Sequence, residues 1–175
     1  MRKLILPLLF VFLFMLESIF VQYIPPGLFG LFGRNSIVVP HFLIVGILFL
    51  TIYGGRKKGI LYAFIFGLLF DIVYTEILGI YLFLYPLVAY IVSKIMHVLQ
   101  LNLFSTSLIS LVGIALLELG VYELNFIIHI TNLDFSSFLH LRFYPTLLFN
   151  AAFLLLACYP LQRIIEKYSG ALRDE

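Results

Sequence analysis

The chain has 175 residues; 63% are hydrophobic, 11% are charged, and the formal net charge is +2. A soluble domain carries about 25% charged residues, so a chain this poor in charge would leave large apolar patches facing water. Composition therefore excludes a water-soluble globule and a disordered chain, and so small a net charge gives nucleic acid no electrostatic footing.

A bilayer is the natural solvent, and at about 20 residues per helix the chain holds roughly five to seven spans in one domain. Met1-Arg2-Lys3 is followed by an apolar run over 4–23. That run is too long for a signal-peptide core and no small-residue cleavage site follows it, so it reads as a retained first helix. Residues 24–36 begin Ile24-Pro25-Pro26-Gly27 and break the helix. A second span is expected over 36–53, followed by the basic turn Gly54-Gly55-Arg56-Lys57-Lys58. Further spans are expected over 59–74, 79–97, 105–130 and 143–164, with a polar loop over 131–142. Cys158 lies in an apolar stretch and reads as a small buried hydrophobe. Tyrosines near span ends (Tyr23, Tyr53, Tyr74, Tyr144, Tyr168) suit an interfacial belt.

Basic residues orient this all-α, six-span architecture. A cytoplasmic N-terminus places Arg2, Lys3, Arg56, Lys57, Lys58, Lys94, Arg163, Lys167 and Arg173 inside, and only Arg34 and Arg142 outside. That bias puts both termini in the cytoplasm.

Four carboxylates fall inside expected spans: Glu17, Asp71, Glu118 and Glu123. At about 1.5 Å per residue, Glu17, Asp71 and Glu118 each lie about 18–20 Å from the inner end of their helices. Asn150 and Tyr85 reach a similar level from the other side, which suggests a polar layer near the outer face. No Lys or Arg is expected at that depth; His41 and Arg34 are the nearest cations. That layer is either a catalytic or transport site, or its carboxylates are protonated, hydrogen-bonded between helices, or open to outside water, with structural or partner-contact roles favoured over ligand binding. Glu123 lies nearer the outer end and reads as solvated.

Gly59, Ala63, Gly67, Asp71 and Thr75 recur every four residues. Such a small-residue face lets helices approach closely, within the chain or across a dimer. Glu118, Tyr122, Asn125 and His129 make one stripe on the fifth span, lining a wet cavity or meeting a partner. No recognisable chemical motif accompanies them. The basic turn lacks Walker A spacing, the histidines lack metal-ligand spacing, and no nucleophile triad can be assembled by spacing. No enzyme and no cofactor are expected.

Several elements together resemble the MreD family of bacterial rod-shape-determining membrane proteins. They are Pro40-His41-Phe42-Leu43, Gly59 after the basic turn, Gly67-Leu68-Leu69-Phe70-Asp71-Ile72, Leu78-Gly79, and Tyr85-Pro86-Leu87. The order, size and six-span layout match over almost the whole chain. His41 stands where the family often has a polar or acidic residue. The resemblance implies a non-enzymatic scaffold of the bacterial cytoplasmic membrane, embedded in lipid. Its expected partners are MreC, the MreB filament, RodA and a penicillin-binding transpeptidase, in side-wall peptidoglycan synthesis. Applied to this chain, it suggests that Asp71 and the Gly67 face keep the bundle or a partner site in shape; with them, Gly59, Ala63, Gly79, Glu17, Glu118 and Asn150 are the structural or partner-contact candidates. The competing class is the vitamin-binding S component of energy-coupling-factor transporters, similar in size and helix number. That class requires several polar and aromatic groups to converge on one ligand.

Overall fold

The computed structural model describes residues 4–23, 36–75 and 77–169. Residues 24–35 of the expected break at 24–36, and the charges Arg2, Lys3, Arg34 and Arg173, lie outside them. Every regular element among the described residues is helical. In order these are α1 (Ile5–Tyr23), α2 (Phe42–Phe49), α3 (Arg56–Tyr74), α4 (Ile80–Met96), α5 (Leu103–Ile127), α6 (Phe135–Phe138) and α7 (Tyr144–Ser169). A π-helical turn, Leu50–Gly54, prolongs α2, and another, Leu139–Phe143, joins α6 to α7. Three helical segments are long and apolar enough to cross a membrane: Ile5–Tyr23, Leu103–Ile127 and Phe135–Ser169.

The centre of the bundle is α2. All eight of its α-helical residues are buried, and it touches α1, α3, α4, α5 and α7. A helix apolar on every side belongs inside a bundle. With its π turn it is about 20 Å long, short of the roughly 30 Å hydrocarbon core. The peripheral helices show the opposite pattern. On α1, Leu6, Phe10, Leu13, Phe14 and Glu17 face inward, while Leu8, Val11, Phe12, Met15 and Ile19 are exposed. An outward apolar stripe of this kind suits lipid, since water would penalise it. Aromatic rings fill the interior, as where Phe42 meets Phe153 at 4.2 Å and Phe70 meets Tyr81 at 4.4 Å.

Several boundaries differ from expectation. The second helix starts at Phe42, and residues 36–41 are not helical. Pro40 lacks an N–H and disfavours helical backbone at Val39. The last helical stretch starts at Phe135, inside the expected polar loop, because the Asp134 carboxylate caps it by accepting from Ser137 N at 3.0 Å. At the other loop, Asn102 caps α5 by accepting from Ser105 N at 2.7 Å. The helix ends at Ile127, before His129, which takes the left-handed conformation at φ 58. Arg56, Lys57 and Lys58 form the first turn of α3. Cys158 is half-buried, not enclosed.

The basic residues gather at one end of the bundle. Lys58 Nζ donates to the Ser169 carbonyl at 3.1 Å, tying the start of α3 to the end of α7. The Arg56 guanidinium lies 4.4 Å from the centre of the Tyr90 ring, and Lys94 lies 5.9 Å from the same ring. Arg142 lies far from this group, at the end where α2 and α4 begin.

Candidate functional site

Residues 36–41 lead into the bundle, from exposed Ile37 to fully buried His41, without helical hydrogen bonds among themselves. Irregular backbone at membrane depth requires protein partners for each N–H and C=O. Backbone and side-chain groups of the surrounding helices supply several of them. Ile37 N donates to the Leu141 carbonyl at 2.7 Å. Val39 N donates to Thr146 Oγ1 at 3.1 Å. Asn150 Nδ2 donates to the Val39 carbonyl at 2.8 Å, and Asn150 Oδ1 accepts from His41 N at 2.8 Å. Leu43 N, in the first turn of α2, donates to Glu17 Oε2 at 3.0 Å. Glu17 thus caps α2 from a different helix, where a negative charge also meets the positive end of the helix dipole.

The His41 side chain extends the junction. Its Nε2 lies 2.7 Å from Glu118 Oε1. Arg142 reaches the same carboxylate, with Nε donating to Oε2 at 2.8 Å and Nη2 donating to Oε1 at 3.3 Å. Both side chains of the His41–Glu118 pair are fully buried, and that of Arg142 is 30% exposed. The paired contact of guanidinium and carboxylate gives directional bonds in a site that water does not screen. The expectation that no Arg reaches this depth is corrected here. Arg142 belongs to the π turn ahead of α7, not to an outer loop, and the continuous helix directs it onto α5.

A second junction joins α3 to α4. Asp71 Oδ2 accepts from Gly79 N at 2.8 Å and Leu82 N at 2.9 Å, and Oδ1 accepts from Tyr81 N at 3.0 Å. Three N–H groups at the start of α4 therefore converge on one carboxylate. Gly79 precedes α4 at φ 117, where a side chain would be strained. On α3, a Cβ at Gly67 would lie 2.5 Å from the Tyr81 carbonyl and 3.2 Å from Leu82 Cα. The missing side chain is what lets α4 come within reach of Asp71. A Cβ at Gly59 would lie 2.5 Å from Thr51 Cα, in the π turn after α2, and Ala63 between them is fully buried. This small-residue face is occupied within the chain.

The structure brings Glu17, Glu118 and Asn150 together around residues 39–43, and places Asp71 at the neighbouring helix start. Tyr85 is fully buried nearby, its hydroxyl without a partner among the described residues. Glu123 is exposed. The proposed α5 stripe does not act as a unit. Tyr122 donates to the Leu133 carbonyl, Asn125 donates to the Val121 carbonyl, and His129 lies beyond the helix. Sequence reasoning missed Thr146 and Arg142. The Asp134-Phe135-Ser136-Ser137 capping pattern was the available signal for Arg142, since it starts the helix eight residues earlier. Among the described residues no group of three or more His, Cys, Asp or Glu could hold a metal ion.

The family profile described as "rod shape-determining protein MreD" matches residues 1–168. The chain belongs to the MreD family. It is 33% identical to the rod shape-determining protein MreD of Bacillus subtilis (strain 168) over 175 residues, which is 100% of both chains. It is 31% identical to the cell shape-determining protein MreD of Streptococcus pneumoniae (strain ATCC BAA-255 / R6) over 141 residues, or 81% of this chain and 84% of that one. No solved structure matches significantly. Within this MreD-family chain, the Gly-Leu-x-x-Asp element and the downstream Gly79 have a shared physical reason. They form the two sides of the α3–α4 junction, one supplying the carboxylate and the close approach, the other the left-handed turn.

Proposed function

We propose that this protein is a non-enzymatic scaffold in the bacterial cytoplasmic membrane that helps determine rod shape by docking MreC. MreB, RodA and a penicillin-binding transpeptidase join the same side-wall synthesis complex. The chain crosses the membrane six times, with α6 and α7 counted as one span and both termini in the cytoplasm. The basic cluster of Arg56, Lys58 and Lys94 at a single end supports that orientation.

Family membership over residues 1–168 carries the shape-determining reading. The use of the buried polar groups supports the scaffold. Asp71, Glu118 and Asn150 are committed to hydrogen bonds that hold helices in place. Large apolar side chains cover the outside of α1, α3 and α7, including Phe64, Ile72, Leu155 and Leu156. Binding then proceeds through the shape of lipid-embedded helix faces and through the outer loops.

The test is depletion in the rod-shaped host together with affinity purification of the tagged full chain from membranes. Rounded cells, delocalised side-wall synthesis and recovery of MreC with the tagged protein are expected. Normal shape with loss of uptake of one vitamin would transfer the protein to the transporter class.

A further inference from the structure

The start of α3 and the end of α4 line a cleft of about 350 Å³ with Arg56, Ser93, Lys94 and His97. Arg56, Lys94 and His97 are exposed and Ser93 is half-buried, so the cleft opens to the surroundings. Two positive charges therefore face one space. Both lie against the ring of Tyr90, which holds cations in place without neutralising them. Neither has a carboxylate partner among the described residues, whose ion pairs are His41–Glu118 and Arg142–Glu118. Like charges gathered without a counter-charge repel, and an anion between them removes the repulsion.

The lining indicates which anion fits. A guanidinium, an ammonium, an imidazole and a hydroxyl all supply hydrogen-bond donors. Phosphate offers several acceptor oxygens to such a set, and arginine matches its geometry. The surroundings indicate what carries the phosphate. An adjoining cleft of about 220 Å³ shares Arg56, Ser93 and His97 and is lined further by Ile52, Met96 and Leu101. The connection to α5 exposes Val98, Leu99 and Leu101, and Phe104 is exposed in the first turn of α5. A free anion or an acidic peptide gains nothing from that apolar surface, whereas the upper acyl carbons of a lipid cover it. Basic clefts between helix ends at the membrane surface are where lipid headgroups are held.

We propose that this cleft binds the phosphate of a net-anionic membrane lipid, with Arg56, Lys94, His97 and Ser93 donating to its oxygens and the acyl end lying against Leu101. The site goes beyond the scaffold reading and does not depend on it, because lipid retention is a property of the purified chain.

The test is lipid retention by the full chain in detergent. The protein is equilibrated with mixed micelles holding equal amounts of phosphatidylglycerol, phosphatidylethanolamine and phosphatidylcholine of equal chain length. It is then repurified, and bound lipid is quantified by mass spectrometry. Phosphatidylglycerol should be retained about tenfold better than the other two, whose cationic headgroups meet Arg56 and Lys94. Arg56→Gln and Lys94→Gln should each reduce the preference and together abolish it. Lys57→Gln removes a neighbouring exposed charge that does not line the cleft, and should leave the preference intact. Ser93→Trp, which fills the cleft and keeps both charges, should abolish the preference and decides the matter if the charge variants fail to accumulate. Equal retention of the three lipids overturns the proposal. So does a preference that survives Ser93→Trp, or one that falls as much with Lys57→Gln as with Arg56→Gln. Displacement of phosphatidylglycerol by millimolar inorganic phosphate, or by a polyglutamate peptide, overturns it in favour of a free anion or an acidic protein segment. Retention seen only when Asp174→Asn and Glu175→Gln are introduced overturns it in favour of the chain's own acidic end.

Discussion

Asn150 pairs with the backbone around His41 as a neighbouring strand would. Its Oδ1 accepts from His41 N and its Nδ2 donates to the Val39 carbonyl, both at 2.8 Å. One planar amide thus satisfies a donor and an acceptor two residues apart on an extended segment. An Asn side chain carries both functions in the required plane, which an Asp or a Leu does not.

Asn150→Leu should therefore be among the most damaging single changes. It strands two buried backbone groups at about 1–3 kcal/mol each. Asn150→Asp keeps the acceptor for His41 N but loses the Nδ2 that donates to both the Val39 and the Thr146 carbonyls; a protonated Asp still donates to one of them, so the change should be milder. Thermal unfolding in detergent, followed by size-exclusion chromatography, should rank the wild type above Asp and Asp above Leu. Equal behaviour of the two variants would contradict the paired geometry.

Asp71 receives three N–H donors at the start of α4, so both of its oxygens must accept. Asp71→Asn places an NH2 group against at least one of those donors. The change should cost on the order of 1–3 kcal/mol and lower accumulation in the membrane. An Asn variant as stable as the wild type would show that Asp71 is protonated and uses only one acceptor.

Gly67 and Gly120 separate two kinds of close contact. A Cβ at Gly67 meets the Tyr81 carbonyl at 2.5 Å, which is backbone, whereas a Cβ at Gly120 meets Leu84 Cδ2 at 2.8 Å, the tip of a flexible side chain. Gly67→Ala should thus cost about 1–3 kcal/mol as an overpacked contact, and it should also loosen the Asp71 cap. Gly120→Ala should be tolerated far better. The same unfolding measurement reads the difference, and a reversed order would refute the α3–α4 packing.

Arg142 and Glu118 should show strong coupling. Removing one partner of a buried ion pair costs about 3–5 kcal/mol, and the 30% exposure of Arg142 places Arg142→Met at the lower end. Glu118→Gln combined with Arg142→Met leaves no uncompensated charge, so the double variant should recover part of the loss. A double-mutant cycle on unfolding midpoints measures this. Strict additivity would mean that the guanidinium and carboxylate do not interact.

Glu17, Asp71, Glu118 and Asn150 could be set at one level from the sequence because depth in a helix depends only on residue number and a fixed rise. Hydropathy located the helices for the same local reason. Arg142 was assigned to the wrong environment because its place depends on where a helix begins, and a single cap at Asp134 moved that start by eight residues. Thr146 gave no warning, since a hydroxyl on an apolar helix usually bonds within its own turn.

The sequence by itself determined that this chain belongs in a membrane and which few polar residues lie deep within its helices. Those properties come from composition and from regular helical spacing. Only the tertiary structure decided what the polar residues are for. Residues 36–41 are not helical, and α2 and α4 begin inside the bundle, so their N–H and C=O groups need partners from distant parts of the chain. Which side chain meets which backbone group follows from how the helices surround α2, and no local pattern records that arrangement.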